Sequence, residues 1–280
     1  SGTLIWNELF TLPYRTYNPF NISEETRQLL HFEVFPYWNQ RNFREWVREK
    51  YNNPLCQQID ERYALYFSWK QATISHTIPD FPKILKMGTS GISEEIHREM
   101  DRSSNDGEKA ATLEAMILCL EGLRTYSKNL AAQTEFDAKR ETDPTRRAEL
   151  ERLSRVCAQV VERPARTLYE AVTAIWITWV GLHMESMNAG LSLGRLDQWL
   201  QPYFLADMEK INSREERAKY IRDAIELIGH FYMRCTDHFP LTPDIANFYF
   251  GGSSSDQAIT LGGVTPDGQD AVNDMTYIFL

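Results

Sequence analysis

Several common signatures are missing from this chain, and each absence excludes a class. Its four cysteines, Cys56, Cys119, Cys157 and Cys235, stand far apart and form no CxxC pair. A thiolate zinc site is therefore not expected, and no metal is assigned. Sparse, unpatterned thiols point to a reducing, cytoplasmic setting. No apolar run reaches the roughly 18 residues that a membrane-spanning helix requires. There is no cationic excess either. Thirty Lys and Arg face 39 Asp and Glu, a formal charge of −9. Neutralising phosphates needs clustered cations, so a nucleic-acid partner is not expected. HExxH, GxxxxGK[ST] and GxGxxG motifs are absent, which removes the usual zincin and nucleotide-binding signals. No internal repeat or low-complexity linker occurs. What the chain does have is apolar bulk: 42% hydrophobic and 12% aromatic residues over 280 positions. That is enough for a large core and too much for a disordered chain.

The first third is rich in aromatics and interrupted by Asn18-Pro19, Phe35-Pro36 and Asn53-Pro54, each of which biases the preceding residue away from helix. Short helices between these breaks are predicted. Ser23-Glu24-Glu25 opens one, with Leu29, Leu30, Val34 and Phe35 on its apolar face. The middle reads as long helices. One starts after Asn105-Asp106, carries Leu113, Met116, Ile117 and Leu120, and runs to about Ala138. Asp143-Pro144 restarts the chain as cap and first-turn proline, with Leu150, Leu153, Val156 and Cys157 buried. Thr167 and Glu170 have capping-box spacing ahead of Leu168, Ala171, Val172, Ile175, Trp179 and Leu182, apolar on most sides and so expected deep in the core. Ser213 and Glu216 repeat the spacing before Tyr220, Ile221, Ala224, Ile225 and Ile228. The last stretch changes character. Ala258-Ile259-Thr260-Leu261 reads as a short buried strand ending at Gly262-Gly263, Pro266-Asp267-Gly268 as a turn, and the residues from Asp270 as a helix that Asn273 and Asp274 weaken.

Four groups of residues carry candidate chemistry. His76, in Ser75-His76-Thr77-Ile78-Pro79-Asp80, sits before a Pro-Asp break where it can face a cavity as general acid or base; a capping or core histidine is the plainer reading. His230, His238, Asp237 and Asp244 are close in sequence but lack metal-ligand spacing, and a helix face followed by a loop accounts for them. Arg195 and Asp197, in Gly194-Arg195-Leu196-Asp197, are read first as an ion pair holding a turn, with Arg195 on a carboxylate substrate as the alternative. Gly251-Gly252 with Ser253, Ser254 and Ser255 only weakly suggests phosphate, and Gly262-Gly263 leaves room for close backbone approach. Cys119 and Cys157 fall on helix stripes and are expected in the core.

Four stretches, in one order, carry a family resemblance. They are His76-Thr77-Ile78-Pro79-Asp80, Arg163-Pro164-Ala165-Arg166-Thr167-Leu168-Tyr169-Glu170-Ala171, Gly194-Arg195-Leu196-Asp197-Gln198 and Gly262-Gly263 with Asp267-Gly268-Gln269-Asp270-Ala271-Val272-Asn273. Together they resemble the glycyl radical enzymes, the pyruvate formate-lyase-like family. The resemblance implies a mostly α chain with the start of an α/β barrel, a fragment of the family's ten-stranded barrel. Residues 1–105 would be a helical outer segment with the His loop, 106–245 long core helices, and 246–280 the start of barrel strands. It also implies thiyl-radical cleavage of a carbon–carbon, carbon–oxygen or related bond in a small organic substrate. The family's glycyl radical is installed by an S-adenosylmethionine-dependent iron–sulfur activase, the implied partner.

The family's Gly-Cys-x-Glu and Arg-Val-x-Gly-Tyr loops do not occur in these 280 residues. The chain is therefore expected to be an inner amino-terminal portion, with no cofactor of its own and no activity alone. Within it, His76 would be the catalytic acid. Ala189 and Gly190 stand where glycerol- and propanediol-type dehydratases place His-Ser, which leaves space and disfavours a small polyol. Ser255 and Asp256 would line the substrate pocket, and Arg195 and Asp197 would support it. The alternative is a non-catalytic helical interaction module of this ancestry, self-associating through an apolar surface near its carboxyl end.

Overall fold

Capping side chains start the helices where the spacing predicts. A computed structural model describes residues 2–51, 53–55, 58, 77–102, 106–185, 191–235, 243–249 and 257–280. Its described residues fall into two compact units, one drawn from 1–77, 186–191 and 236–257, the other from 78–185, 192–235 and 258–280.

In the first unit, α1 (Gly2–Glu8) and a 3-10 turn at Leu12–Tyr14 bring Ile5, Leu9 and Leu12 together as a small buried core. Trp6, Phe20, Ile22, Leu30 and Phe35 cover it. The Ser23 hydroxyl accepts from the Thr26 N–H and opens α2 (Glu24–Leu29). The expected break at Phe35-Pro36 does not occur. The helix widens into a π turn at Leu30–Val34 and continues as α3 (Phe35–Asn39). A wide turn moves the ladder to i→i+5, and proline, lacking an N–H, fits the first turn after it. The π turn also carries Leu30 and Phe35 onto the core and leaves Leu29 exposed. α4 (Phe43–Tyr51) follows.

The second unit is built on long helices. α5 (Phe81–Arg102) is kinked at Gly88, φ 64°, where the chain at Glu162 lies too close for any Cβ. The N–H groups freed by the kink donate to that chain, Thr89 to the Val161 carbonyl (2.6 Å) and Ser90 to Glu162 (3.2 Å). α6 (Gly107–Arg140) is capped by Asp106, whose carboxylate accepts from the Lys109 N–H. α7 (Pro144–Cys157) is capped by Asp143 and folds back along α6. Small residues let the two approach: the Ser127 hydroxyl donates to the Cys157 carbonyl (2.7 Å) and Ser154 to Ala131 (2.9 Å). Leu113, Ile117 and Leu120 of α6 are half-buried and Met116 is exposed. Cys119, expected in the core, is exposed, whereas Cys157 is buried. α6 buries its carboxyl-terminal half on α7 through Ser127, Ala131 and Ala138, and the turns that carry Cys119 keep a solvent face.

α8 (Leu168–Glu185) buries Leu168, Ala171, Val172, Ala174, Ile175, Ile177, Trp179 and Val180. Its cap is half a capping box. The Thr167 hydroxyl accepts from the Glu170 N–H, while the Glu170 carboxylate takes the N–H and guanidinium of Arg166. α9 (Leu196–Met208) leads by a short turn to α10 (Arg214–Arg234), capped by Ser213. Asp207 ties three elements, accepting from the Leu168 N–H (2.9 Å), the Tyr220 hydroxyl (3.0 Å) and Lys210 (3.0 Å). The buried stripe of α10 is Ala224, Ile228 and Phe231, so the expected Ile221 and Ile225 are exposed. α11 (Asp244–Tyr249) belongs to the first unit.

The carboxyl-terminal residues depart most from expectation. Among the described residues there is no strand, only two isolated bridges, parallel at Gly194–Ile259 and antiparallel at Val264–Asp270. The predicted buried strand is a half-exposed extended segment with a single bridging partner. The turn at Pro266-Asp267-Gly268 is present, with Gly268 at φ 81° and its N–H donating to the Thr265 carbonyl (2.9 Å). Asn273 does not weaken the last helix. It starts α12 (Asp274–Phe279), where it forms a full capping box with Thr276. No helix among the described residues is long and apolar enough to cross a membrane.

Candidate functional site

Of the candidate site residues, His76, Ala189, Gly190, Ser255 and Asp256 lie outside the described residues, as do His238 and Asp237. His230 is exposed on α10, 3.6 Å from Glu226 one turn away. Among the described residues no cluster of His, Cys, Asp and Glu could hold a metal ion. Arg195 and Asp197 are described, and they sit at a knot of backbone where several distant segments meet.

The knot begins with Gly194. Its φ of 72° turns the chain into α9, and its backbone lies against the Trp199 ring and the Ile78 side chain with no room for a Cβ. Only glycine meets both demands cheaply. On one side, the Leu193 N–H donates to the Ala258 carbonyl (2.8 Å), and the Thr260 N–H donates to the Gly194 carbonyl (2.9 Å). The segment ending at Leu193 and the segment starting at Ala258 therefore run side by side.

The expected Arg195–Asp197 ion pair does not form; each side chain binds the 262–276 segment instead. Arg195 precedes the helix and reaches outward. Its Nη2 donates to the Gly262 carbonyl (2.6 Å) and its Nη1 to the Val264 carbonyl (3.0 Å). Both bonds are charge-assisted and tie the guanidinium to backbone. Asp197 lies in the first turn of α9 and points inward, with 0% exposure. Its Oδ2 accepts from the Gly262 N–H (2.7 Å) and the Thr276 hydroxyl (2.6 Å), and its Oδ1 from the Gln198 N–H (2.8 Å). Neutral donors thus satisfy a buried carboxylate at the positive end of a helix.

Other polar contacts continue along α9. Gln198 Nε2 donates to the Ala271 carbonyl (2.7 Å). Gln201 donates to Asp274 (2.9 Å) and accepts from the Met275 N–H (3.0 Å). Asn273 Nδ2 reaches the Asp197 carbonyl (3.3 Å). Sequence reasoning missed Gln198, Gln201, Asn273 and Thr276 as members of this site. One signal was available: Asn273 and Thr276 have the same capping spacing that marked Thr167–Glu170 and Ser213–Glu216. That spacing locates a cap, but not what the threonine hydroxyl donates to.

Three undescribed stretches precede residues of the knot in sequence. Ile78 follows the His76 loop, Leu193 and Gly194 follow Ala189-Gly190, and Ala258 follows Ser255-Asp256.

A family model described as pyruvate formate lyase-like matches residues 1–280. The isethionate sulfite-lyase of Oleidesulfovibrio alaskensis is 31% identical over 285 residues, covering 96% of this chain and 33% of that protein. The (2S)-3-sulfopropanediol dehydratase of Klebsiella oxytoca is 27% identical, covering 99% of this chain and 34% of its own length. Among solved structures, the glycerol-bound B12-independent glycerol dehydratase from Clostridium butyricum superimposes with a TM-score of 0.83 at 26% identity, over 100% of this chain and 35% of that one. The chain thus spans about a third of the length of the relatives it matches.

Proposed function

Because this chain belongs to the pyruvate formate lyase-like family of glycyl radical enzymes, we propose that it is part of a cytoplasmic radical lyase or dehydratase. The bond it would break is carbon–sulfur or carbon–oxygen, in a small organic molecule bearing a hydroxyl or sulfonate group. The observation that carries this reading is the family match over residues 1–280, with the Gly194-Arg195-Leu196-Asp197 turn bound to the 262–276 segment. Relatives named for isethionate and sulfopropanediol support the substrate class.

In this reading each residue has one task. His76, as general acid, gives a proton to a departing hydroxyl oxygen. Ser255 and Asp256 accept and donate hydrogen bonds to the polar groups of the substrate. Ala189 and Gly190, carrying a methyl and a hydrogen, leave volume that a small polyol does not fill. Arg195 and Asp197 hold the turn that positions them. The family's radical would supply hydrogen abstraction in the complete protein. Its two sequence motifs do not occur in these 280 residues, so no step through it is assigned to them.

The test is anaerobic reconstitution of the complete polypeptide with a radical-installing activase, followed by electron paramagnetic resonance and product analysis. The panel is isethionate, 3-sulfopropanediol and glycerol. A glycyl radical signal and turnover of a sulfonate in preference to glycerol are expected. His76→Gln should lower kcat by about 100-fold or more for a substrate that loses hydroxyl. Absence of turnover across the panel, or an unaffected His76→Gln variant with such a substrate, refutes the reading. The 280-residue chain alone is expected to turn over none of them, and to release no formate from pyruvate and coenzyme A.

A further inference from the structure

α6 carries the alternating four- and three-residue spacing of a coiled-coil seam on two of its faces. One runs from Leu113 through Ile117, Ser127 and Ala131 to Ala138, and these residues are half-buried or buried. The other runs from Ala111 to Phe136, about 37 Å along the helix, and all eight of its positions are exposed. None of the eight carries a charge, although Glu114, Glu121, Lys128 and Glu135 line one flank. Leu118 is 61% exposed and Phe136 53%, the latter beneath the Arg140 guanidinium at 5.1 Å. Gly122 lies in the middle of this second seam. Glycine weakens a helix interior relative to alanine, and a Cβ here would meet nothing within 4 Å. Its own unit gives no reason for the missing side chain. A second backbone drawn close to the helix does.

We propose that this face of α6 binds the same face of a second copy of the chain, antiparallel, about a two-fold axis between Leu123 and Arg124. The spacing of the seam reads the same in both directions, so this axis sets seam on seam. Ala111 then meets Phe136 of the second copy, which puts the bulkiest side chain against a methyl. Ala115 meets Ala132, and Leu118 meets Asn129. Nearest the axis, Gly122 meets Thr125, whose hydroxyl is already satisfied by the Glu121 carbonyl (2.9 Å). Charges complement one another in the same register. One step beyond each end of the seam, Glu108 faces Lys139, and on the flank Glu121 faces Lys128; symmetry supplies each pair twice. Both lysines hold carboxylates of their own chain, Lys128 that of Glu162 (2.8 Å) and Lys139 that of Glu135 (2.7 Å), and each would stand between two acids. The one like-charged meeting, Glu114 with Glu135, falls beside Lys139. A parallel pair would instead set Glu108 on Glu108, Lys139 on Lys139 and Phe136 on Phe136. Charge therefore selects the antiparallel copy. The proposal is independent of the radical reading and of the residues assigned to it.

The test uses the complete polypeptide. Sedimentation over a micromolar concentration range reads its association, and circular dichroism its folding. Leu118→Glu puts a charge on an exposed seam position, so the variant should fold as the parent does while its dimer Kd rises at least about tenfold. Glu108→Lys and Lys139→Glu should each weaken the dimer about two- to fivefold, and the double variant should return to within about twofold of the parent. Orientation is read by disulfide trapping in a Cys119→Ser background. Ala115→Cys and Ala132→Cys should cross-link when the two variants are mixed. Neither should do so alone, since like positions stand about 25 Å apart along the antiparallel pair. A parent that stays monomeric, an unchanged Kd in Leu118→Glu, a double charge variant no better than the singles, or cross-linking of either cysteine variant alone overturns the proposal. A Leu118→Glu variant that fails to fold does so too, because it shows the face to be covered within one chain.

Discussion

Placing a methyl group on Gly194 tests the steric claim on which the knot stands. An alanine Cβ there would overlap Cη2 of Trp199 and lie 3.0 Å from both Trp199 Cζ2 and Ile78 Cγ2, in a backbone with φ 72°. The left-handed conformation costs about 1–2 kcal/mol for a residue with a Cβ. Forcing the Trp199 ring aside adds about 1–3 kcal/mol, as overpacking does in other cores. The expected loss for Gly194→Ala is therefore about 2–5 kcal/mol. For a unit of this size that is a fall in melting temperature of roughly 4–20 °C. Gly268→Ala is the control. It has nearly the same backbone, φ 81°, but nothing within 4 Å of its would-be Cβ, so it should show only the conformational share, about 1–2 kcal/mol. Thermal melts followed by circular dichroism read both. Should the two variants melt together, the crowding by Trp199 and Ile78 contributes nothing and the argument fails.

Three further outcomes follow from the same structure. Burial pushes the Cys157 thiol up to about 11, so iodoacetamide at pH 8 should label the exposed Cys119 and spare Cys157, read peptide by peptide by mass spectrometry; equal labelling would refute the packing of α7 on α6. The hydrogen bond from Lys128 holds the Glu162 carboxyl below its ordinary value near 4.5. A lowered native value means the unfolded chain takes protons first, so this stability is present above about pH 4.5 and is lost as pH falls through the native value. Glu162→Gln should then flatten the acid limb of the stability curve by less than about 1 kcal/mol, since the pair is exposed; a steeper limb would contradict the sign. Asp143→Ala removes the acceptor of the Arg146 N–H at 2.7 Å and should cost about 1 kcal/mol in urea unfolding, with no change expected in its slope.

The helices and their starts were legible because the information is local. A cap needs an oxygen three residues from an N–H, and Asp106, Asp143, Ser23, Thr167 and Ser213 could be found by spacing alone. The core role of Leu168–Val180 was legible for a similar reason, since a helix apolar on most sides has nowhere else to go. Faces with mixed composition were not. Cys119, Ile221 and Ile225 fit an apolar stripe in sequence, yet only the angle at which neighbouring helices approach decides which side of a stripe is covered. Proline at position 36 misled because a π turn upstream can absorb a missing N–H, and nothing within three or four residues announces one.

The residues 258–280 divide the two kinds of information most sharply. Their turn at Pro266-Asp267-Gly268 and the family likeness of their glycines and acids were written in the order of amino acids. Their tie to Arg195 and Asp197 was not. By itself, then, the sequence determined a mostly helical chain, the positions where most of its long helices begin, and membership in a family of radical enzymes. The tertiary structure alone decided that Asp197 answers to Gly262 and Thr276 rather than to Arg195. Two charges two residues apart look like partners on paper, but a helix start turns one outward and one inward, and each then bonds to whatever distant backbone the fold delivers.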